Sequence, residues 1–225
     1  MRHDLFVTDV WEFDFPYHNQ FKKQVIEHVE GPAGQNHLNQ KSEKLSPSLT
    51  SYGGEELHYD SEVSLTSFFE LHMLRFFQKI EEFHNWEKGK WGNFEQWLNV
   101  NKKGSFNPPH VHSSANFSGC YYVKHPKNSG HIHFLDPRPQ HRFASPDPAP
   151  DVMHQIEGSH VFNPYCNSHP HDSSIFTYEI KEGKIIIFPS WLMHYVDPNA
   201  NEDLRISIAF NCTYVQGAFY ENSER

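Results

Sequence analysis

The sequence predicts an α+β protein, mainly β, in which helices come first and a run of antiparallel strands then closes into a sandwich or barrel. Up to Trp86 the apolar residues recur at helical spacing, and beyond it they alternate with period two. The alternating segments are separated by short turns rich in Gly, Pro and Asn. A chain of 225 residues can bury one substantial core, and sandwiches and barrels of this size are commonly single domains. One domain over 1–225 is therefore expected, with 1–90 a mostly helical buttress and 91–216 the β core.

Taken in order, Met1 to Phe15 alternates loosely and can donate an edge strand. From His18 to Val29, Phe21, Val25 and Val29 fall on one helical face, and Gly31-Pro32 closes the segment. Ala33 to Gly54 is rich in Ser, Asn and Gly and reads as a loop. Asp60 to Trp86 carries the strongest helical pattern, with Leu65, Phe68, Phe69, Met73, Phe76, Phe77, Ile80 and Phe83 on a broad apolar face. Asp60 or Ser61 is the expected N-cap. Strands are expected at 94–101, 110–116, 119–124, 131–135, 176–180, 184–188, 193–196 and 205–214. Lys103-Gly104, Pro126 to Gly130, Glu182-Gly183 and Asp197-Pro198-Asn199 mark turns between them. The connection from Pro137 to Ser174, dense in Pro, His, Asp and Ser, is long enough to be a lid or binding loop.

Composition excludes several classes. An aromatic content of 15% rules out a generally disordered chain. Nineteen basic against 28 acidic residues give a net charge of −9 with neutral His, and there is no basic block, so a nucleic-acid partner is not expected. No apolar run approaches a membrane span, and MRHDLFVTDV lacks the apolar stretch of a signal peptide. Cys120, Cys166 and Cys212 lie far apart, and an odd number suits a reducing compartment better than a disulfide framework. A cytoplasmic protein without membrane contact is the expectation. The outlier is histidine, at 18 of 225.

His110-Val111-His112 would put both imidazoles on one face of a strand. Two neutral imidazoles converging on one point chelate Fe, Zn, Cu or Ni. The same spacing at His131-Ile132-His133 and His169-Pro170-His171 shows that spacing alone is not specific. Asn107-Pro108-Pro109 stiffens the approach to the first pair. Downstream, Gly183 to His194 reads as a buried strand ending at a Pro turn, with His194 opening the next strand. In the following strand Arg205, Ser207, Ala209 and Asn211 share one face, and Ile206, Ile208 and Phe210 the other. A charge, a hydroxyl and an amide on one face suit either a polar pocket wall or a solvated surface.

In this order the HxH pair, the strand ending in Tyr121-Tyr122-Val123, GKIIIFPSWLMH and RISIAFN resemble the Fe(II)/2-oxoglutarate-dependent oxygenases. The likeness is strongest to a small family with HxH, SGxYY, FPSWLxH and RISxxFN motifs, and it covers Phe94 to Tyr214. It implies a double-stranded β-helix (jelly roll) buttressed by the N-terminal helices, with the metal at its open end. Carried over by position, His110 is the first Fe(II) ligand and His194 the distal one. His112 stands where the family has Asp or Glu, which makes it the third ligand and a departure from the pattern. Three neutral His leave Fe(II) at +2 instead of +1, which favours an anionic chelating co-substrate and raises the metal potential.

Arg205 matches the base that pairs with the far carboxylate of 2-oxoglutarate, and Ser207 the hydroxyl that assists it. Tyr122 and Asn99 are further candidates for the cofactor pocket, ordinary core packing being the alternative for the aromatic. Asp136 is a substitute carboxylate, expected instead to sit in a turn with Arg138. His131 and His133 are expected on a neighbouring strand away from the metal, or against substrate. The implied activity couples decarboxylation of 2-oxoglutarate to hydroxylation of an unidentified small-molecule or peptide substrate. A cupin-like three-His metal dioxygenase that does not use 2-oxoglutarate, and a non-catalytic jelly-roll binding or structural module, stand beside it. Edge pairing into a homodimer is compatible with such a fold.

Overall fold

The computed structural model describes residues 7–32, 48–50, 58–59, 63–86, 89–113, 115–137, 153–156, 159–162 and 175–215. In chain order the elements are β1 (Trp11–Asp14), α1 (His18–Glu30), β2 (Ser48–Thr50), β3 (His58–Tyr59), β4 (Val63–Ser64) and α2 (Leu65–His84). They continue with β5 (Lys90–Asn101), β6 (Asn107–His110), β7 (Phe117–Lys124), β8 (Ile132–Leu135), β9 (Met153–Ile156) and β10 (Ser159–Phe162). The last four are β11 (Ile175–Tyr178), β12 (Lys184–Pro189), β13 (His194–Val196) and β14 (Arg205–Val215).

A larger sheet runs β1-β12-β7-β14-β5-β2 and a smaller one β11-β8-β13-β6, with β3-β4 and β9-β10 as separate pairs. Strands β5 to β8 belong alternately to the large and small sheets, and β11 to β14 alternate likewise. A chain that steps back and forth between two sheets in this way is a double-stranded β-helix. The first segment supplies β1, at one edge of the large sheet, in line with the loose alternation of the opening residues. The opposite edge is β2, paired with β5, inside the stretch that the sequence marks as loop. The short pair β9-β10 lies within 137–174, and the remainder of the expected lid, including Arg138, falls outside the described residues.

The large sheet is covered on both faces, which explains the unbroken apolar run Ile185-Ile186-Ile187-Phe188. On one face Ile185, Ile187, Ile206, Ile208 and Phe210 pack with Phe21, Val25, Phe69, Met73, Phe77 and Ile80 of the two helices. On the other, Tyr122, Ile186 and Phe188 pack with Ile132, Phe134 and Leu192. Burial of each such side chain contributes about 1.5–3 kcal/mol.

Three local expectations are corrected. Strand β6 ends at His110, so His112 lies beyond the strand. The reason is that β6 pairs only with β13, at the sheet edge where Pro108 and Pro109 are tolerated. Helix α2 begins at Leu65, after β4, and the expected caps Asp60 and Ser61 fall outside the described residues. Its buried face ends at Ile80, because Phe83 is 72% exposed. The expected turns at Lys103-Gly104, 126–130 and Glu182-Gly183 carry positive φ angles, at Gly104 (82°), Asn128 (62°), Gly130 (90°) and Gly183 (85°), and Asn85 (51°) after α2 has one as well. Among the described residues, no helix is long and apolar enough to cross a membrane.

Candidate metal centre and cofactor pocket

His110 closes β6 and His194 opens β13, and the two face each other as Cα partners across the ladder. His112 follows two residues later, held by its main-chain N–H on the carbonyl of Ser190 at 2.9 Å. One nitrogen of each ring lies within 4.8 Å of the other two. The ring centroids are 4.3 Å apart for His110–His194, 5.1 Å for His110–His112 and 5.2 Å for His112–His194.

The second nitrogen of each ring is committed elsewhere. Nδ1 of His110 donates to the carbonyl of Pro108 at 2.7 Å, and Nδ1 of His194 to that of Leu192 at 2.9 Å. Nδ1 of His112 donates to Oδ1 of Asn211 at 2.7 Å. A carbonyl only accepts, so the proton sits on Nδ1 and the Nε2 lone pair is left for a metal. Nε2 of His112 is buried without a partner. Burial pushes His194 down to about 3 and lowers His112 as well, which keeps both in the neutral, ligating form. Phe188 packs edge-on against His194 at 4.7 Å, and Trp97 stacks on His112 at 5.9 Å. Three aligned imidazole nitrogens with apolar walls fit a divalent transition metal such as Fe(II). Among the described residues, neither Asp136 nor the His131/His133 pair joins the group.

Beside this centre, Ser207 of β14 lies opposite Asn99 of β5 and Tyr122 of β7. Directly opposed residues share a face, and Tyr122 belongs to the core between the sheets. Arg205 sits two residues along the same row and is only 2% exposed. Its Nη1 donates to the carbonyls of Ser129 and, at 2.9 Å, Asp197. Among the described residues its Nη2 has no partner, nor does Oδ1 of Asn99. The Tyr122 hydroxyl, held protonated by burial, lies beside the Cys120 thiol but has no oxygen or nitrogen partner. Burial also pushes Cys120 up to about 11, with Ser207 and Tyr122 against its sulfur, so it stays a thiol. Unpartnered buried donors cost about 1–3 kcal/mol each. A guanidinium edge and a phenol left open side by side fit a carboxylate.

The chain matches, over residues 95–211, the family described as "Putative 2OG-Fe(II) oxygenase". It belongs to the 2OG-Fe(II) oxygenases. Fe(II) and 2-oxoglutarate are the metal and co-substrate of that family, and the donors above fit both. No curated protein sequence matches the chain. Solved structures share its fold at low identity. A prolyl-4-hydroxylase of Pseudomonas putida is 12% identical, with a TM-score of 0.53 over 93% of this chain and 95% of that one. HygX from Streptomyces hygroscopicus, with nickel and 2-oxoglutarate bound, is 11% identical, with a TM-score of 0.54 over 92% and 82%. A prolyl hydroxylase from Trichoplax adhaerens, in complex with a hypoxia inducible factor peptide fragment, is 10% identical, with a TM-score of 0.52 over 98% and 90%.

In this oxygenase the second histidine pair lies outside the cluster of His110, His112 and His194. His133 is 1% exposed and bridges Thr177 Oγ1 at 2.9 Å and Asp197 Oδ2 at 2.7 Å, with Tyr195 stacked on its ring at 4.5 Å. Nδ1 of His131 accepts from the main-chain N–H of Ile180 at 3.2 Å. Burial raises the Asp197 carboxyl, but the hydrogen bond from His133 and the charges beside it outweigh burial and hold it below its ordinary value. Ser118, Ser190 and Asn211 are letters of the SGxYY, FPSWLxH and RISxxFN motifs, and Ser129 and Asp197 fall in expected turns, but the motifs assign them no role. Only the folded chain shows that they hold Arg205 and His112. A cleft of about 590 Å³, lined by Asp9, Trp11, His84, Trp86 and Trp191 among others, reaches His112.

Proposed function

We propose that this oxygenase is a hydroxylase of a small-molecule or peptide substrate, with Fe(II) on His110, His112 and His194 and 2-oxoglutarate anchored by Arg205. The observation that carries this reading is the set of buried atoms without a hydrogen-bond partner among the described residues: Arg205 Nη2, the Tyr122 hydroxyl and Asn99 Oδ1 on the large sheet, and His112 Nε2 in the histidine cluster. Arg205 Nη2 and the Tyr122 hydroxyl take the far carboxylate, while Ser207 and Asn99 line the same row. Bound iron supplies the activation of O₂. One oxygen atom enters the substrate C–H bond and the other enters succinate: R–H + O₂ + 2-oxoglutarate gives R–OH + succinate + CO₂.

The chain's own part is to fix the ligand tautomers and to exclude water with Phe134, Phe188 and Trp97. The cleft beside His112 gives substrate its approach, and its volume suits a small molecule or a peptide side chain. Among the described residues Cys120 and Cys212 are free cysteines, which supports a cytoplasmic location, and β1 and β11 are edge strands, which supports a homodimer.

The test is a titration of the anaerobic Fe(II) protein with 2-oxoglutarate. A visible charge-transfer band that disappears in Arg205→Ala is expected, with ¹⁸O from O₂ recovered in product once a substrate is found. Metal bound without a band would move the assignment to a three-histidine dioxygenase that does not use 2-oxoglutarate.

A further inference from the structure

The three ligand rings are not held alike. His110 and His194 are each oriented by the main-chain carbonyl two residues before them, Pro108 and Leu192, which no substitution removes. His112 stands outside the strand ladder and is oriented by a side chain, Oδ1 of Asn211. That oxygen also accepts from the hydroxyl of Ser118 at 2.8 Å, and the Ser118 and Ser190 hydroxyls lie 2.8 Å apart. The carbonyl of the same Ser190 accepts the main-chain N–H of His112 at 2.9 Å. Ring and backbone of His112 are therefore pinned by one closed set of groups drawn from β7, β14 and the turn after β12. Asn211, Ser118 and Ser190 are 5%, 0% and 1% exposed.

We infer that Asn211, seated by Ser118 and Ser190, is the positioning residue that selects the metal-binding tautomer of His112 and keeps the centre free of protein negative charge. With the amide oxygen inward, Nδ1 carries the proton and Nε2 presents its lone pair. An amide turned the other way would make Nδ1 an acceptor and place the proton on Nε2, where a metal must bind. A carboxylate at position 211 would orient the ring equally well but would add a negative charge behind the ligand. The neutral amide leaves the full charge of the divalent ion for an anionic chelating co-substrate. This inference rests on the reading of the three histidines as the metal centre.

The test uses the full chain, with Mn(II) as the probe in calorimetric titration and melting of the metal-free protein as the control for folding. Asn211→Leu is expected to melt as a folded protein and to bind Mn(II) roughly 10–100-fold more weakly, the range found when such supporting partners of metal ligands are lost. Asn211→Asp is expected to bind Mn(II) more tightly than the unaltered chain. Its Fe(II)–2-oxoglutarate band should move to longer wavelength, because a more electron-rich iron gives up an electron more easily. A folded Asn211→Leu with unchanged Mn(II) affinity would overturn the inference, since a structural amide would lower only the melting temperature. If Asn211→Leu does not fold, Asn211→Asp decides alone: tighter Mn(II) binding supports the assignment, and equal or weaker binding refutes it. Absence of Mn(II) binding by the unaltered chain is a different outcome, and removes the three-histidine centre together with the inference.

Discussion

Arg205 donates from Nη1 to the main-chain carbonyl of Asp197 at 2.9 Å, while the carboxylate of that same Asp197 accepts from Nε2 of His133 at 2.7 Å. The second HxH pair thus braces Arg205 through Asp197. Asp197 titrates below its ordinary value, so its contribution is complete above the unfolded carboxyl range near pH ~4 and is lost as pH falls through the folded value. Melting temperature against pH should show a steeper acid decline for the unaltered chain than for Asp197→Asn. Parallel curves for the two proteins would remove Asp197 from this role.

Tyr122→Phe separates binding from stability. Its hydroxyl is buried without an oxygen or nitrogen partner, so its removal should leave the ligand-free protein equally stable or more stable, by up to about 1 kcal/mol. Affinity for 2-oxoglutarate should fall roughly tenfold or more, because a hydrogen bond to a charged acceptor contributes about 1.5–3 kcal/mol. Calorimetric titration alongside denaturant unfolding measures both.

Gly130→Ala should damage the anchor from behind. Gly130 has φ of +90°, and a Cβ there would lie 2.6 Å from the Asp197 carbonyl oxygen and 2.9 Å from Arg205 Nη1. The substitution strains the turn and displaces the guanidinium. Weaker 2-oxoglutarate binding with retained Mn(II) binding is the expected pattern, read by titrating each ligand separately.

Gly119→Ala tests the core instead. Its Cβ would fall 2.3 Å from Cζ of Phe210 and 2.4 Å from the carbonyl oxygen of Ile186. The sheet must shift, at a cost of about 1–3 kcal/mol or more. Denaturant unfolding should show a lower midpoint with an unchanged slope.

The β core was legible because a sheet covered on both faces leaves long apolar runs and clear alternation, as at Lys184–Pro189 and Arg205–Val215. The row Arg205, Ser207, Asn211 was legible for the same reason, since parity along one strand needs no knowledge of its neighbours. His112 was misplaced onto a strand because pairing, unlike alternation, is non-local: β6 has one neighbour, and its ladder ends at His110. Ser129 and Asp197 act on Arg205 through main-chain carbonyls, which every residue owns, so no side-chain pattern could mark them. The link from Asn211 to His112 spans 99 residues and appears only once β14 is set beside the turn after β12.

Pro108 and Pro109 place two residues without an N–H on the outermost strand of the small sheet. A peptide that tried to extend this sheet by lying alongside β6 would find no donors at those two positions. The border nearest the histidines is thereby disfavoured for strand addition, whether by a peptide or by a second copy growing toward a fibre. Recognition at this rim then falls to side chains reaching in, and the edge that carries His110 is a poor template for aggregation.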